Sequence, residues 1–207
     1  DKSVTYIYDI FSKKLTEVAP FTVDLLLPSG AENLNYVLYT DESPYKMQRE
    51  WLDRLPFDIY SVNVHTGAKR LIGRSYRTAP KWSVNGKWAV MYDPIAQVWN
   101  KFDGATGKVV NISDAIGYPM FMESYDKPAP APAYGIAGWT ADGNNVFLYD
   151  AYDWWKIDLT GERQPECLTK GYGRKHGKSI RKMTSNIDKD VFQKDEKVRS
   201  EEHTSEL

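Results

Sequence analysis

One motif occurs twice in this chain, and it constrains the fold more than any other feature of the sequence. Residues 82–93 (WSVNGKWAVMYD) align without a gap to residues 139–150 (WTADGNNVFLYD), and both copies share the frame W-x3-G-x5-Y-D. Each copy has a turn at Asn-Gly or Asp-Gly, where a positive backbone φ costs little, and an apolar segment rich in β-prone residues follows it. Each copy therefore predicts one half of a β-hairpin.

A second hairpin signature recurs along the chain, in which a strand-like segment leads to a tight turn, usually Thr-Gly. Its copies are 58–64 with Thr66-Gly67, 98–103 with Thr106-Gly107, 154–158 with Thr160-Gly161, and a weaker copy at 6–9 with Ser12-Lys13. The turn positions Ser12, Gly67, Gly107 and Gly161 are 55, 40 and 54 residues apart. Such spacing is typical of propeller blades, whose periods are about 40 to 50 residues.

These repeats predict an all-β fold. Since a four-stranded sheet with two apolar faces cannot bury both by itself, neighbouring sheets must cover it. We therefore predict a partial β-propeller of about four blades of antiparallel four-stranded sheets. The predicted domain covers residues 1–192, with blade boundaries near 20, 76, 116 and 170. A β-sandwich is the alternative, because it also has short strands with regular turns, but recurrence of the same aromatic and turn residues favours the propeller.

One segment breaks the strand pattern and predicts a short helical insertion. Pro44–Arg54 and the following residue place Met47, Trp51 and Leu55 at spacings of four, which would put them on one face of a helix. The nearby carboxylates, which include Glu42 and Asp53, are interpreted as surface charge on that helix.

Composition excludes several classes of protein. The 27 basic and 28 acidic residues nearly cancel, so no overall charge favours nucleic acid binding, and 42% hydrophobic residues exclude a wholly disordered chain. No apolar run approaches the roughly 20 residues of a membrane-spanning helix. Cys167 is the only cysteine, which excludes an internal disulfide and a multi-cysteine metal site.

Both ends of the chain look like cut ends. Val4–Tyr8 has the pattern of the middle of a strand, and residues 199–207 (RSEEHTSEL) resemble the in-frame translation of a widely used sequencing adapter. We therefore expect residues 1–198 to be an internal piece of a longer protein and residues 193–207 to be a disordered tail, of which 199–207 is an artefact.

With the repeats placed, the chain resembles the N-terminal β-propeller of the prolyl oligopeptidase family of serine peptidases, most of all its long bacterial members. The similarity is carried by 139–150, by 152–158 with Gly161, by Gly171–Lys175 and by the hairpin 57–60 with Thr66-Gly67. In that family the propeller is a lid on an α/β-hydrolase domain, where it restricts access and contacts the peptide. The resemblance implies that the hydrolase domain of the same parent chain and the peptide substrate are its partners. It also implies a periplasmic or extracellular location.

The sequence predicts no catalytic residue in this chain. The nucleophile elbow of such hydrolases is G-x-S-x-G, and no serine here has that context: Ser29 lies in Pro-Ser-Gly, and Ser179 lies between Lys178 and Ile180. The parent protein would be the serine peptidase, and this segment would gate and orient its substrate without hydrolysing it.

No cofactor or metal site is predicted either. Gly171–Ser179 ends in Gly-Lys-Ser, as a phosphate-binding loop does, but Tyr172 stands where that pattern needs glycine. The basic residues in and just after this stretch are interpreted as a solvated loop between blades: Arg174, Lys175, His176, Lys178, Arg181 and Lys182. His65 and His176 have no ligand spacing to a second His or Cys.

Two other functions remain open at this point. The blade motifs also occur in TolB-related and WD-type propellers, which bind protein partners and have no enzymatic activity. A carbohydrate-binding β domain is the third possibility, because tryptophans can stack on sugars. The recurrence of Trp82, Trp88, Trp139 and Trp155 at strand positions favours a role in the blade core instead.

Overall fold

The computed structural model describes residues 4–20, 23, 25–29, 35–52, 54–182, 190–194, 196 and 200–204. The strands are β1 (Thr5–Asp9), β2 (Lys14–Ala19), β3 (Leu25–Leu27), β4 (Tyr36–Asp41), β5 (Phe57–Asn63), β6 (Lys69–Tyr76), β7 (Lys81–Trp82), β8 (Trp88–Asp93), β9 (Val98–Asp103), β10 (Val109–Asn111), β11 (Ile136–Thr140), β12 (Asn145–Tyr149), β13 (Trp154–Asp158), β14 (Glu166–Cys167), β15 (Lys178–Lys182), β16 (Val191–Phe192) and β17 (Ser200–Thr204). The helices are one α-helix, α1 (Tyr172–His176), and two 3₁₀ helices, Ser43–Gln48 and Asp114–Ile116.

Consecutive strands pair into four antiparallel sheets. Sheet 1 is the β1–β2 hairpin, sheet 2 has the order β3-β4-β5-β6, and sheet 3 has the order β7-β8-β9-β10. Sheet 4 has the order β11-β12-β13-β14, and β16 adds to it as a parallel strand beside β11. A separate pair is formed by β15 and β17. Each of sheets 2 to 4 therefore contains one four-stranded meander, as a propeller blade does.

The Thr-Gly signature forms the tight turns of these sheets. At two of these turns, the side chain of the residue that ends the strand, Asn63 or Asp103, accepts the backbone N–H groups two and three residues further on. At a third turn, Asp158 accepts the backbone N–H groups two, four and five residues further on. The glycine then adopts a positive φ, 74° at Gly67 and 71° at Gly107. Because both requirements are local, these turns form from the sequence of the hairpin alone.

The sheets stack face to face, with a separate apolar layer between each neighbouring pair. Side chains alternate along a strand, so β8 directs Ala89 and Met91 toward sheet 2 and directs Val90 and Tyr92 toward sheet 4. The layer between sheets 1 and 2 contains Val18, Val37, Tyr39, Val62 and Val64. A sandwich would have a single interior between two sheets, whereas the described sheets enclose three successive apolar layers, and a fourth apolar cluster lies on the outer face of sheet 4. The fold is therefore a partial β-propeller, as the repeats predict.

The stack has two different ends, since alternate connections of a meander lie at the same end. We call the first the turn end, because tight turns such as 64–68, 83–87 and 104–108 lie there. Neighbouring turns are joined directly: the side-chain amide of Asn85 donates to the Asp142 carbonyl (2.8 Å), and that of Asn35 donates to the Ala105 carbonyl (3.1 Å).

We call the opposite end the loop end. It carries the long connections 42–56, 112–135 and 168–177, together with the short β12–β13 connection 150–153. Loops held by a rigid framework are where proteins most often place binding residues. The loop end is therefore where a functional site is sought.

The predicted helical insertion differs from the helix that forms. Ser43–Gln48 is a 3₁₀ helix, in which residues three apart align and residues four apart do not. Met47 and Trp51 are 85% and 77% exposed, and only Leu55 of the predicted apolar face is buried. The segment is instead attached through the Tyr45 hydroxyl, which donates to the Asp58 carboxylate (2.5 Å). The predicted surface carboxylate Asp53 lies outside the described residues.

Two further segments differ from their predictions. The stretch predicted as a solvated loop contains α1, and Lys178 and Ser179 begin β15. Ser200–Thr204, within the predicted tail, pair antiparallel with β15, whose unpaired edge offers N–H and C=O groups. Residues 195, 197–199 and 205–207 of that tail are outside the described part of the chain. The domain limits of 1–192 stay a prediction.

No helix in the described ranges has the length and apolar character needed to cross a membrane.

Candidate functional site

The residues considered for catalysis do not come together. In the described part of the chain, the His65 ring contacts the Asn35 side chain (3.2 Å), and the His176 ring contacts the Tyr172 carbonyl (2.8 Å). The Ser179 hydroxyl donates to the Ala151 carbonyl (2.9 Å). Neither histidine therefore contacts a serine or cysteine that it could activate. The described residues also contain no group of three or more His, Cys, Asp or Glu arranged to hold a metal ion.

A network of buried charges lies at the loop end of sheet 4. Asp150 follows β12, is fully buried, and accepts four hydrogen bonds. One carboxylate oxygen accepts the backbone N–H groups of Tyr152 (2.7 Å) and Asp153 (2.6 Å). The other accepts the indole N–H of Trp155 (3.0 Å) and Nη2 of Arg174 (3.1 Å). Because an isolated buried carboxylate is very costly, this complete set of donors explains why Asp150 stays inside.

Asp153, which is 1% exposed, attaches helix α1 to the sheet. Its carboxylate accepts the Thr169 hydroxyl (2.5 Å) and the backbone N–H groups of Gly173 (2.9 Å) and Arg174 (3.0 Å). The first N–H groups of a helix have no partner within the helix, so the carboxylate stabilises α1 where it begins. Gly173 permits this close approach, because a Cβ there would lie 2.6 Å from the Tyr152 carbonyl oxygen.

Arg181 holds the β12–β13 connection from the other side. Its Nη2 donates to the carbonyls of Asp150 (2.9 Å) and Ala151 (3.0 Å), and its guanidinium lies 4.7 Å from the ring centre of Tyr149. Burial lowers the pKa of Arg181 and raises the pKa of Tyr149. Two arginines from the stretch predicted as a solvated loop therefore stabilise this corner of sheet 4.

A cleft of about 440 Å³ opens beside this network. Its lining combines two cations, two aromatic rings and the only cysteine of the chain: Tyr118, Asp153, Trp155, Cys167, Gly171, Arg174 and Lys175. The Arg174 guanidinium lies 3.9 Å from the ring centre of Tyr118, and the Tyr118 and Trp155 rings are 6.0 Å apart. We call this site the Arg174 cleft. Its size lies within the range of small-ligand clefts, about 300 to 1,000 Å³.

A larger cleft, of about 570 Å³, lies on the outer face of sheet 4 between Phe147, Trp154 and Phe192. Its lining carries charges of both signs, for example Lys156 and Asp142, so it favours no single class of ligand. The Arg174 cleft is therefore the better candidate.

Sequence reasoning did not find this cleft. Asp150 and Arg174 are 24 residues apart, and no motif of known chemistry joins them. The prediction that Trp155 lies in the blade core is confirmed, because this residue is buried between sheets 3 and 4, and its indole also borders the cleft. The sequence feature that could have indicated the cleft is the pair Asp150 and Asp153, which follows β12. A carboxylate that directly follows an apolar strand needs hydrogen-bond partners from elsewhere in the chain.

No protein-family model and no curated protein matches this chain. Among solved structures, it is similar to the crystal structure of TolB from Acinetobacter baumannii, with 13% identity and a TM-score of 0.38 over 81% of this chain. It is also similar to a protein of unknown function from Bacteroides thetaiotaomicron, with 16% identity and a TM-score of 0.34 over 79% of this chain. The match covers 38% of each of those chains. These comparisons support neither the prolyl oligopeptidase resemblance nor the adapter resemblance of residues 199–207, and the assignment of a partial propeller rests on the stacked sheets.

Proposed function

We propose that this chain is a non-catalytic propeller segment that covers an α/β-hydrolase domain of its parent protein, a serine peptidase, and orients peptide substrates toward that domain. The observation that carries the proposal is the difference between the two ends of the stack. Tight turns joined to one another close one end, whereas the loop end carries long connections and the Arg174 cleft. A rigid stack of sheets with a cleft at one end is suited to binding and positioning a ligand.

The chemistry would belong to the hydrolase domain. Acyl transfer needs a nucleophile in contact with a base, and neither His65 nor His176 makes such a contact among the described residues. The purified chain is therefore expected to hydrolyse no peptide or ester. The link to peptidases comes from the sequence resemblance alone, and the stacked sheets are compatible with it.

A protein-binding scaffold without any enzymatic partner is the second candidate. The same stacked sheets favour it equally, because a propeller that binds proteins needs the same rigid framework. Reading the coding sequence downstream of Val198 separates the two functions. A G-x-S-x-G motif followed by acidic and histidine partners would support the cover, and further blades followed by a stop codon would refute it.

The gating role is tested in the parent protein. We expect deletion of the propeller to increase cleavage of a large folded protein relative to cleavage of a short peptide, because the cover would no longer restrict access. The measurement is the ratio of the two kcat/KM values with and without the propeller. An unchanged ratio would rule out gating, whatever the effect on overall activity.

A further inference from the structure

The charged groups of the Arg174 cleft that are accessible to solvent are both cations. Both of its acidic neighbours are buried and fully used, since Asp150 accepts four hydrogen bonds and Asp153 accepts three. Lys175 is exposed, and its ammonium group makes no ion pair within the described residues. The charges that a ligand meets are therefore those of Arg174 and Lys175, which favour an anion.

Arg174 is held in place, and its Nη1 group is left as a donor for a ligand. Its Nη2 binds Asp150 (3.1 Å), and its guanidinium lies over the rings of Tyr118 (3.9 Å) and Tyr152 (5.1 Å). Within the described part of the chain, Nη1 makes no hydrogen bond, and Nε is buried without a partner. A planar guanidinium fixed by a carboxylate and two rings loses little freedom when it binds a second carboxylate, so the site is preorganised.

The walls of the cleft are apolar and flat. Tyr118 and Trp155 supply two aromatic rings, and the Trp155 ring is held by its hydrogen bond to Asp150. Cys167 lies at the same wall, with its sulfur accepting the N–H of Gly171 (3.2 Å). A small inorganic anion would leave these walls unoccupied, whereas an aromatic ring would pack against them.

We propose that the Arg174 cleft binds a carboxylate attached to an aromatic group, such as the carboxyl-terminal residue of a peptide that ends in phenylalanine. The carboxylate binds Arg174 and Lys175, and the ring packs against Tyr118 and Trp155. This inference deepens the proposed function and rests on it, because it names the ligand class of the same site. Its test uses only the present chain, so its failure is separable from the failure of the hydrolase cover, which downstream sequence decides.

The test uses the full chain of 207 residues and a matched pair of ligands. N-acetyl-phenylalanine carries the carboxylate, and N-acetyl-phenylalaninamide replaces it with a neutral amide. Cys167 is the only cysteine, so the rate of its alkylation by neutral iodoacetamide, followed by intact mass, reports occupancy of the cleft. We expect the acid to slow alkylation at a concentration about tenfold lower than the amide, since a charge-assisted hydrogen bond is stronger than the neutral one that the amide can make.

Two pairs of variants locate the effect. K175Q should weaken protection by the acid about threefold, as expected for an exposed ion pair, while K127Q removes the same charge from the loop end outside the cleft and should change nothing. Y118A removes an aromatic wall and should weaken protection, while Y118F keeps the ring and should retain it. Since Lys175 is exposed, loss of folding does not obscure the K175Q result.

Three results would overturn the proposal. They are equal protection by the acid and the amide, equal effects of K175Q and K127Q, and protection by inorganic phosphate at the same concentration as by the aromatic acid. The last result would identify a general anion site and not a site for an aromatic carboxylate.

Discussion

Replacing Asp150 with Asn tests the buried network that shapes the loop end of sheet 4. The substitution preserves the volume of the side chain but exchanges one carboxylate oxygen for an NH₂ group. One oxygen of Asp150 faces the N–H groups of Tyr152 and Asp153, and the other faces those of Trp155 and Arg174. In either orientation of the amide, the NH₂ group meets two donors, and two hydrogen bonds are lost.

The expected magnitude follows from these contacts. The orientation that retains the charged partner Arg174 leaves the backbone N–H groups of Tyr152 and Asp153 without their acceptor. Each buried donor left without a partner costs about 1–3 kcal/mol, and partial movement of the connection recovers some of that cost. We expect D150N to lower the free energy of unfolding by about 3 kcal/mol. For a chain of this length, that corresponds to a decrease in Tm of roughly 6–12 °C.

The assay is urea unfolding followed by tryptophan fluorescence, with a thermal melt by circular dichroism. D103N is the matched control. Asp103 accepts the N–H groups of Ala105 and Thr106 at its turn, and Asn63 makes the same contacts at the equivalent turn of sheet 2. An amide is therefore already accepted in that geometry, and we expect D103N to change the free energy of unfolding by less than about 0.5 kcal/mol.

A double-mutant cycle with R174M separates the ion pair from the backbone contacts. Because Asp150 and Arg174 are in direct contact, the double variant should lose less stability than the sum of the two single variants. Strict additivity would show that the ion pair contributes nothing. If D150N were as stable as D103N, the reasoning about buried donors at this corner would be refuted.

Three further predictions follow from burial and backbone geometry. Because Met47 and Trp51 are exposed, M47S and W51A should each change the free energy of unfolding by less than about 0.5 kcal/mol. Leu55 is buried, so L55A should lower the free energy of unfolding by about 2 kcal/mol or more. Equal losses for the three variants in urea unfolding would show that all three side chains pack on one apolar helix face, as the spacing predicts. G173A should lower the free energy of unfolding by about 2 kcal/mol, because its Cβ would lie 2.6 Å and 2.7 Å from two backbone oxygens. G177A should lower it by about 1 kcal/mol, because Gly177 has open space around it but a φ of 62°. The reverse order of stability in thermal melts would contradict the packing of α1 against sheet 4. Burial raises the pKa of Tyr76 to about 12, so this tyrosine ionises at a lower pH in the unfolded chain than in the folded chain. The free energy of unfolding should therefore fall as the pH rises from about 10 to about 12. Y76F should make this decline in the urea midpoint less steep, and an unchanged slope would refute the raised pKa of Tyr76.

The strands and turns can be predicted from the sequence because they depend on interactions between residues that are close together in the chain. An aspartate or asparagine that ends a strand, followed by Thr-Gly, supplies both the side-chain acceptor and the positive φ that the turn at Gly107 requires. Alternation of apolar residues on both faces of β8 then implies that the sheet is covered on both sides. The propeller follows from these two requirements without knowledge of any long-range contact.

The insertion shows where local pattern stops being informative. Met47, Trp51 and Leu55 have helical spacing, but spacing does not reveal whether another element lies against that face. Their segment forms a 3₁₀ helix held at Tyr45, and two of the three side chains point into solvent. Amphipathic spacing predicts burial only where a partner surface exists.

The order of strands, their turns and the stacking of two-faced sheets can thus be derived from the chain of residues, because each depends on neighbours within one hairpin or on alternation along one strand. The Arg174 cleft cannot be derived in that way. It exists because Asp150 binds Arg174 from 24 residues away and because Tyr118, from the preceding connection, lies against the same guanidinium. Such contacts are strengthened when folding buries the Asp150 carboxylate and brings its partners within reach, and that depends on the packing of sheet 4 against sheet 3.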